Sequence, residues 1–242
     1  MREGQLAGPD GQAPAAGTGE QAAALAGLRA ELVRYSVRLL DDGLAAGSSG
    51  NISVRAGDMV AITPSGISYR ELQPADICLI GLDGAELDAP EKPSSEVPMH
   101  LAVYAATRAA AVVHTHSPEV IALSAVCDEL PAIHYAIAGL GGPVRVAPYH
   151  RFASAELAQA AVAALAGRSA AILRNHGAIS YGRTLAEAFE RAVLLEWLAG
   201  VYRLARAHGT PRILTEAELA EVAAETRRRR YGERRQSPRA GR

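Results

Sequence analysis

The chain has 242 residues, of which 49% are hydrophobic, and its formal net charge is −1. This length and composition suffice for one sizeable hydrophobic core, so a single domain is expected. The near-zero charge argues against nucleic acid or an anionic membrane surface as the main partner.

The predicted elements begin after an N-terminal segment, residues 1–20, that has almost no large apolar side chains and is expected to be disordered. From Gln21 to about Gly43, leucines recur at helical spacing and predict the first helix. The pattern then predicts, in chain order, strands at 51–55, 59–63 and 77–80, a helix at 95–107, a strand at 110–116, a helix at 118–126, a strand at 144–147, a helix at 154–166, strands at 170–174 and 177–181, and a helix from Thr184 to about Ala207.

The short strands and tight connections indicate the fold class. We expect an α/β domain over residues 21–231, with a central mixed, mainly antiparallel sheet covered by helices on both faces. A basic, flexible tail is expected at 232–242.

The compartment follows from the cysteines and from the apolar runs. Cys78 and Cys127 lie far apart in apolar contexts, which favours buried thiols in a reducing environment over a disulfide. No apolar run reaches the roughly 18 residues of a membrane helix, and the N-terminus lacks the apolar core of a signal peptide. The sequence therefore predicts a cytoplasmic protein without a membrane partner.

The pair His114 and His116, at the end of a buried strand, is the strongest chemical signal in the chain. Residues two apart in a strand point to one face, so two imidazoles stand side by side. Neutral imidazole is the commonest metal ligand in proteins, although strand histidines also occur as ordinary polar edge residues. Further donors are needed before a metal site is favoured.

Two further donors are available in the sequence. His176 follows an apolar strand and precedes Gly177, which indicates a strand exit where glycine permits an unusual turn. Glu96 lies in the first turn of a predicted helix, where a carboxylate either favours the positive helix end or serves as a fourth ligand. His100 lies one helical turn later, and three interpretations of it stay open: a metal ligand, a group behind the ligands, or a side chain packed on the helix face. Packing is favoured. Three imidazoles and one carboxylate suit Zn²⁺ or a similar divalent ion.

A second set of residues suggests anion binding. Three segments place glycine or small hydroxyl residues at turns or helix starts, where backbone N–H groups are exposed, although each is also typical of an ordinary turn. They are 50–53, 63–66 and 93–95. No P-loop or dinucleotide fingerprint occurs, so a bound nucleotide is not implied.

Seven motifs, taken in this order, resemble the class II aldolase/adducin superfamily, and within it the L-fuculose-1-phosphate aldolases most. They are Gly-Asn-Ile-Ser-Val-Arg, Ile-Thr-Pro-Ser-Gly-Ile, Lys-Pro-Ser-Ser-Glu, Val-Val-His-Thr-His, Pro-Ala-Ile-His-Tyr, Ala-Pro-Tyr and Asn-His-Gly. The resemblance covers about residues 22–235. It implies a homotetramer with active sites shared between subunits, and Zn²⁺ on the positions Glu96, His114, His116 and His176. Mn²⁺ and Co²⁺ stay open as alternatives, because His-rich sites accept several divalent ions.

The resemblance also implies a reaction and the roles of further residues. The implied enzyme is a metal-dependent lyase that cleaves a ketose 1-phosphate, such as L-fuculose 1-phosphate, to dihydroxyacetone phosphate and an aldehyde through an enediolate. Glu96 would be both ligand and base, Tyr135 would reach a neighbouring subunit's site and protonate the aldehyde oxygen, and Tyr231 would help close over the substrate. The positions implied for the substrate phosphate are Asn51, Ser65, Gly66, Ser94 and Ser95.

Two departures from the fuculose enzymes limit what the resemblance implies about substrate. Asn175 stands where they have a histidine beside His176, and arginines at 227–230 flank Tyr231. Lys92, the only lysine, favours anion contact or solvent over Schiff-base chemistry. Two alternatives stay open: a decarboxylase, epimerase or dehydratase of the same superfamily, and a non-catalytic interaction module like the head domain of adducin.

Overall fold

The computed structural model describes residues 16–229, with side chains from residue 21 onward. The strands of this range are β1 (Asn51–Ala56), β2 (Met59–Ile62), β3 (Cys78–Gly81), β4 (Glu86–Asp88), β5 (Ala111–Thr115), β6 (Glu129–Leu130), β7 (Val144–Ala147), β8 (Ala170–Leu173) and β9 (Gly177–Gly182). The α-helices are α1 (Ala16–Asp41), α2 (Val97–Ala106), α3 (Pro118–Ser124), α4 (Ala155–Ala164), α5 (Leu185–His208) and α6 (Glu216–Arg229). Two short 3-10 helices lie at Pro74–Asp76 and Tyr135–Leu140.

The strands form one sheet in the order β4-β3-β2-β1-β5-β9-β8-β7-β6. Neighbouring strands are antiparallel except for the parallel pair β7 and β8. The predicted mixed, mainly antiparallel sheet is therefore confirmed. Strand β5 lies between β1 and β9, with His114 opposite Asn51 on one side and Ile179 on the other.

Helices cover both faces of the sheet, as predicted. Alternation along β5 places Val112 in the core beneath α2 and α4, whereas Val113 packs on the opposite face with Leu32 of α1 and Phe189 of α5. Both faces of β5 are thus buried, which explains why this strand is a nearly continuous apolar run. Burial of each such side chain contributes about 1.5–3 kcal/mol to folding.

The short α3 helix links the end of β5 to the turn between β8 and β9. Ser117 precedes it without a side-chain capping bond, and the carboxylate of Glu196 on α5 instead accepts hydrogen bonds from the backbone N–H groups of Glu119 and Val120. At the other end of α3, Ser124 Oγ accepts from the backbone N–H of Asn175 at 2.9 Å. The helix therefore holds the turn between β8 and β9, which carries His176, in place.

The structure differs from the predicted elements at the ends of the chain. Helix α1 begins at Ala16, five residues before the predicted start at Gln21. Residues 1–15 of the predicted disordered segment, and residues 230–242 with Tyr231 and the predicted tail, lie outside the described range. Strands β4 and β6 were not predicted because they are only 3 and 2 residues long. Helix α6 was missed because Leu219 is its one buried residue. Across residues 16–229, no helix is both long and apolar enough to span a membrane.

Candidate active site

Four side chains that the sequence singled out meet at one end of the central strands. Glu96 immediately precedes α2, His114 and His116 lie at the end of β5, and His176 lies in the turn between β8 and β9. One ligand atom from each of the four lies within 4.8 Å of the others. Residues separated by up to 80 positions in the chain are therefore assembled into one cluster, called here the Glu–His cluster.

The contacts within the Glu–His cluster are short. Glu96 Oε2 lies 2.9 Å from His114 Nε2, and Glu96 Oε1 lies 3.4 Å from His176 Nε2. The Nε2 atoms of His114 and His116 are 2.9 Å apart. The three imidazole rings pack edge to face with centroids 4.8–4.9 Å apart. All four donors thus point at one small volume.

Two glycines make this convergence sterically feasible. Gly50, with φ at +74°, lies so close to β5 that a Cβ would meet the carbonyl oxygen of His114 at 2.7 Å. A Cβ on Gly177 would meet the carbonyl oxygen of Thr115 at 1.9 Å. The predicted reason for Gly177 is wrong in detail, because the left-handed residue in the turn is Asn175, with φ at +53°. Gly177 is required for close approach of β9 to β5, and Asn175 supplies the turn.

The protonation of the cluster is governed by burial. Nδ1 of His114 lies 2.8 Å from the carbonyl oxygen of Ala178, so Nδ1 carries the proton and Nε2 presents a lone pair to the cluster. Burial lowers the pKa of His116 to about 3 and that of His176 to about 4, which keeps both rings neutral near pH 7. For Glu96, burial raises the pKa, but His114, His176 and Asn51 together lower it well below its usual range.

The donor chemistry of the cluster fits a divalent metal ion. A carboxylate and neutral imidazoles present lone pairs to the same point, an arrangement that is repulsive without a cation between them. Consistent with this, Glu96 Oε1 is a buried atom that lacks a hydrogen-bond partner among the described residues. The four residues of the Glu–His cluster could therefore hold a divalent metal ion.

A cavity of about 230 Å³ opens directly beside the Glu–His cluster. Its lining includes all five residues that the resemblance assigned to phosphate, together with the cluster residues Glu96, His116 and His176. The five are Asn51, Ser65, Gly66, Ser94 and Ser95. The two serine segments are joined: Ser65 Oγ donates to the carbonyl oxygen of Pro93 and accepts from the backbone N–H of Ser95.

Several lining residues were missed by the sequence analysis. Ser48 and Ser49 also line the cavity, and the Gly-Ser-Ser-Gly segment at 47–50 has the same small-residue character that identified the other turns. Phe152 contributes an aromatic ring at the cavity rim and is followed by Ala153, whose φ is +59°. No pattern in the sequence distinguishes Phe152 from an ordinary exposed aromatic residue.

Other predicted site residues lie elsewhere. Tyr135 is 56% exposed and packs beside Val222 and Arg229 in a groove with α6, away from the lining of the 230 Å³ cavity. Asn175 is exposed, as is Lys92, and neither lines that cavity. A single chain therefore does not bring Tyr135 to the Glu–His cluster.

His100 is fully buried behind the cluster instead of in it. Its Nε2 lies 2.6 Å from Asn51 Oδ1, and its Nδ1 lies 2.7 Å from Ser53 Oγ. The sequence left three interpretations of His100 open, and the structure supports the second, a group behind the ligands. Simple packing, which the sequence favoured, does not account for the two hydrogen bonds of the ring.

Comparison with known proteins shows which family this chain resembles. Residues 30–203 match the family model of the class II aldolase and adducin N-terminal domain. The chain is 39% identical over 198 residues to a 5-deoxy-D-ribulose 1-phosphate aldolase of Bacillus thuringiensis serovar kurstaki, covering 81% of this chain and 93% of that protein. A 5-methylthioribulose-1-phosphate/5-deoxyribulose-1-phosphate aldolase of Rhodospirillum rubrum is 40% identical over 213 residues, covering 87% and 95%. A solved L-fuculose 1-phosphate aldolase superimposes with a TM-score of 0.80 at 35% identity, covering 83% and 96%.

Proposed function

This chain belongs to the class II aldolase and adducin family and is a class II aldolase, a carbon–carbon lyase, and we propose that it cleaves a ketose 1-phosphate to dihydroxyacetone phosphate and an aldehyde. The observation that carries this proposal is the position of the Glu–His cluster, which opens into a cavity lined by serines and glycines. The groups that we propose bind phosphate and those that we propose transfer protons are thus side by side, as cleavage near a phosphorylated carbon requires.

We assign Glu96, His114, His116 and His176 as the ligands of one divalent ion, Zn²⁺, with Mn²⁺ or Co²⁺ as alternatives. When bound, the ion supplies Lewis-acid stabilisation of the negative charge that develops on the substrate's carbonyl and neighbouring hydroxyl oxygens. The fixed Nδ1–H of His114 supports this assignment, because its hydrogen bond to the Ala178 carbonyl holds the ring with Nε2 facing inward.

We assign the substrate phosphate to Asn51, Ser65, Gly66, Ser94 and Ser95. Among the described residues, the lining of the cavity includes neither lysine nor arginine, so the phosphate would be held by hydroxyl and backbone N–H donors. Ser94 and Ser95 lie just before α2, whose N-terminal end carries partial positive charge. This arrangement favours a compact dianion.

In the condensation direction the ionised carboxylate of Glu96 removes a proton from C3 of dihydroxyacetone phosphate, a transfer worth about 10²–10⁴-fold in rate. The new bond then forms between C3 and the aldehyde carbon, and the phenol of Tyr135 from a neighbouring subunit donates its proton to the aldehyde oxygen. Exchange with solvent returns the proton from Glu96 to Tyr135, and cleavage of the bond between C3 and C4 is the reverse of these steps. Tyr231 is proposed to close over the bound substrate.

The placement of Tyr135 supports a shared site. Tyr135 is 56% exposed and lies outside the cavity of its own chain. The centroid of its ring is 4.3 Å from that of the His134 ring, which in turn packs against Trp197. We propose a homotetramer in which this aromatic group reaches the adjacent subunit's cavity. A reducing cytoplasm is the proposed compartment, and the free thiols of Cys78 and Cys127 support it.

The test is a coupled assay for dihydroxyacetone phosphate with purified, zinc-loaded protein. The substrates are L-fuculose 1-phosphate, 5-deoxyribulose 1-phosphate and 5-methylthioribulose 1-phosphate, and the matched control is Glu96→Gln. Release of dihydroxyacetone phosphate from one of them, lost in the control, supports the proposal. Carbon dioxide release, stereoinversion or loss of water without aldehyde would assign another reaction of the superfamily, and a protein that binds no metal would favour the non-catalytic module.

A further inference from the structure

A buried chain of hydrogen bonds runs from the Glu–His cluster between β1 and α2. Tyr104 OH lies 2.8 Å from Ser53 Oγ, and Ser53 Oγ lies 2.7 Å from His100 Nδ1. His100 Nε2 lies 2.6 Å from Asn51 Oδ1, and Asn51 Nδ2 donates to Glu96 Oε2 at 3.1 Å. The five residues are at most 6% exposed, and the His100 ring is completely buried.

The donors of this chain can be assigned from its two ends. An ionised carboxylate only accepts, so the NH₂ group of Asn51 faces Glu96 and its oxygen faces His100. That oxygen requires a proton on His100 Nε2, so in neutral imidazole Nδ1 accepts from Ser53, and the Ser53 oxygen accepts from Tyr104. Burial supports this state: it lowers the pKa of His100 to about 3 and raises that of Tyr104 above its usual range. Every donor therefore points toward Glu96.

We propose that His100 is a positioning residue for the reaction: its Nε2–H fixes the amide of Asn51 so that the NH₂ group, and not the oxygen, faces the carboxylate of Glu96. The inference rests on the proposed function for its kinetic consequence only. With Oε2 held by Asn51, the carboxylate keeps Oε1, which has no hydrogen-bond partner among the described residues, directed toward His176 and the cavity side of the cluster.

Loss of the Nε2–H donor has a specific structural consequence. Without that donor the buried Asn51 oxygen has lost its partner, and the amide shifts toward another donor, which lengthens or breaks its hydrogen bond to Glu96 Oε2. The carboxylate, no longer held at Oε2, rotates away from its working orientation. The ligand atoms of the three histidines are untouched by this change, so turnover is more sensitive than metal binding.

Two substitutions of His100 separate the role of Nε2 from that of simple packing. The amide nitrogen of His100→Gln lies near the former Nε2 and still donates to Asn51, whereas His100→Asn reaches only the former Nδ1 position beside Ser53. Both remove the ring and leave a buried amide. With metal content and urea unfolding measured on each, His100→Asn is expected to lose about 10–100-fold in kcat with little change in KM. His100→Gln is expected to retain most of the rate. Equal losses in the two variants, or a wild-type rate in His100→Asn, would overturn the proposal.

A second measurement does not depend on catalysis. In zinc-loaded wild-type protein labelled with ¹⁵N-histidine, long-range ¹H–¹⁵N spectra identify the tautomer of each ring, and the signal missing in His100→Gln belongs to His100. A neutral ring with the proton on Nε2 supports the proposal. A proton on Nδ1, or on both nitrogens at pH 7, overturns it. If the wild-type protein cleaves no ketose 1-phosphate while the Nε2 tautomer is present, the proposed function fails and the positioning of Asn51 by His100 stands.

Discussion

Replacement of Gly177 by alanine tests how closely β9 must approach β5 for the Glu–His cluster to form. The new Cβ would lie 1.9 Å from the carbonyl oxygen of Thr115 and 3.3 Å from the Cα of His116. An ordinary carbon–oxygen contact is about 3.3–3.6 Å, so one strand must move by more than about 1 Å. Because backbone atoms form the contact, no side-chain rotation relieves it.

The expected cost exceeds that of ordinary overpacking. Inserting a methyl group into a packed core typically costs about 1–3 kcal/mol, and here the ladder between β5 and β9 must also open beside His116. We expect Gly177→Ala to lose about 3 kcal/mol or more in the free energy of unfolding and to bind clearly less than one metal ion per chain. Urea unfolding of the metal-free protein measures the first effect, and elemental analysis after zinc loading measures the second.

The matched control is Gly27→Ala, because a Cβ at Gly27 meets nothing within 4 Å and the residue lies inside α1. In a helix interior this change is expected to stabilise by about 0.5–1 kcal/mol. If Gly177→Ala unfolds at the same urea concentration as the control and binds a full equivalent of zinc, strand proximity is not what determines the cluster.

Three further predictions concern the proposed chemistry. Glu96→Gln is expected to keep the fold, because its amide oxygen can still accept a hydrogen bond from Asn51. Its turnover is expected to fall by about 10²-fold or more. Steady-state kinetics at saturating zinc measure this loss, and near-normal turnover would place the base elsewhere. His114→Ala and His176→Ala are each expected to lose most of the bound metal by elemental analysis, and full retention by both would remove the assigned site. Tyr135→Phe is expected to lose cleavage but still exchange the α-proton of dihydroxyacetone phosphate in D₂O, whereas Glu96→Gln loses both. Reassembled mixed oligomers of these two variants are expected to recover measurable cleavage, and a mixed oligomer as inactive as its parents would show that each chain carries a complete site.

The sequence by itself determined most of the long elements and the donor types of the Glu–His cluster. Helix α5 and strand β5 are evident from local periodicity, and Thr184 caps α5 by accepting from the backbone N–H of Glu187 as its position predicts. His114 and His116 converge because strand geometry places residues two apart on one face. These properties depend on neighbours in the chain, so a single sequence contains them.

Only the tertiary structure decided the features that depend on pairing between distant segments. The true role of Gly177 follows from the register of β9 on β5, and the role of His100 follows from the alignment of α2 with Asn51 on β1. The position of Phe152 beside the cavity likewise depends on how the segment between β7 and α4 packs. Local periodicity specifies which way a side chain points within its own element, whereas the partner it meets is set by packing between elements, and no spacing in the chain encodes that distance.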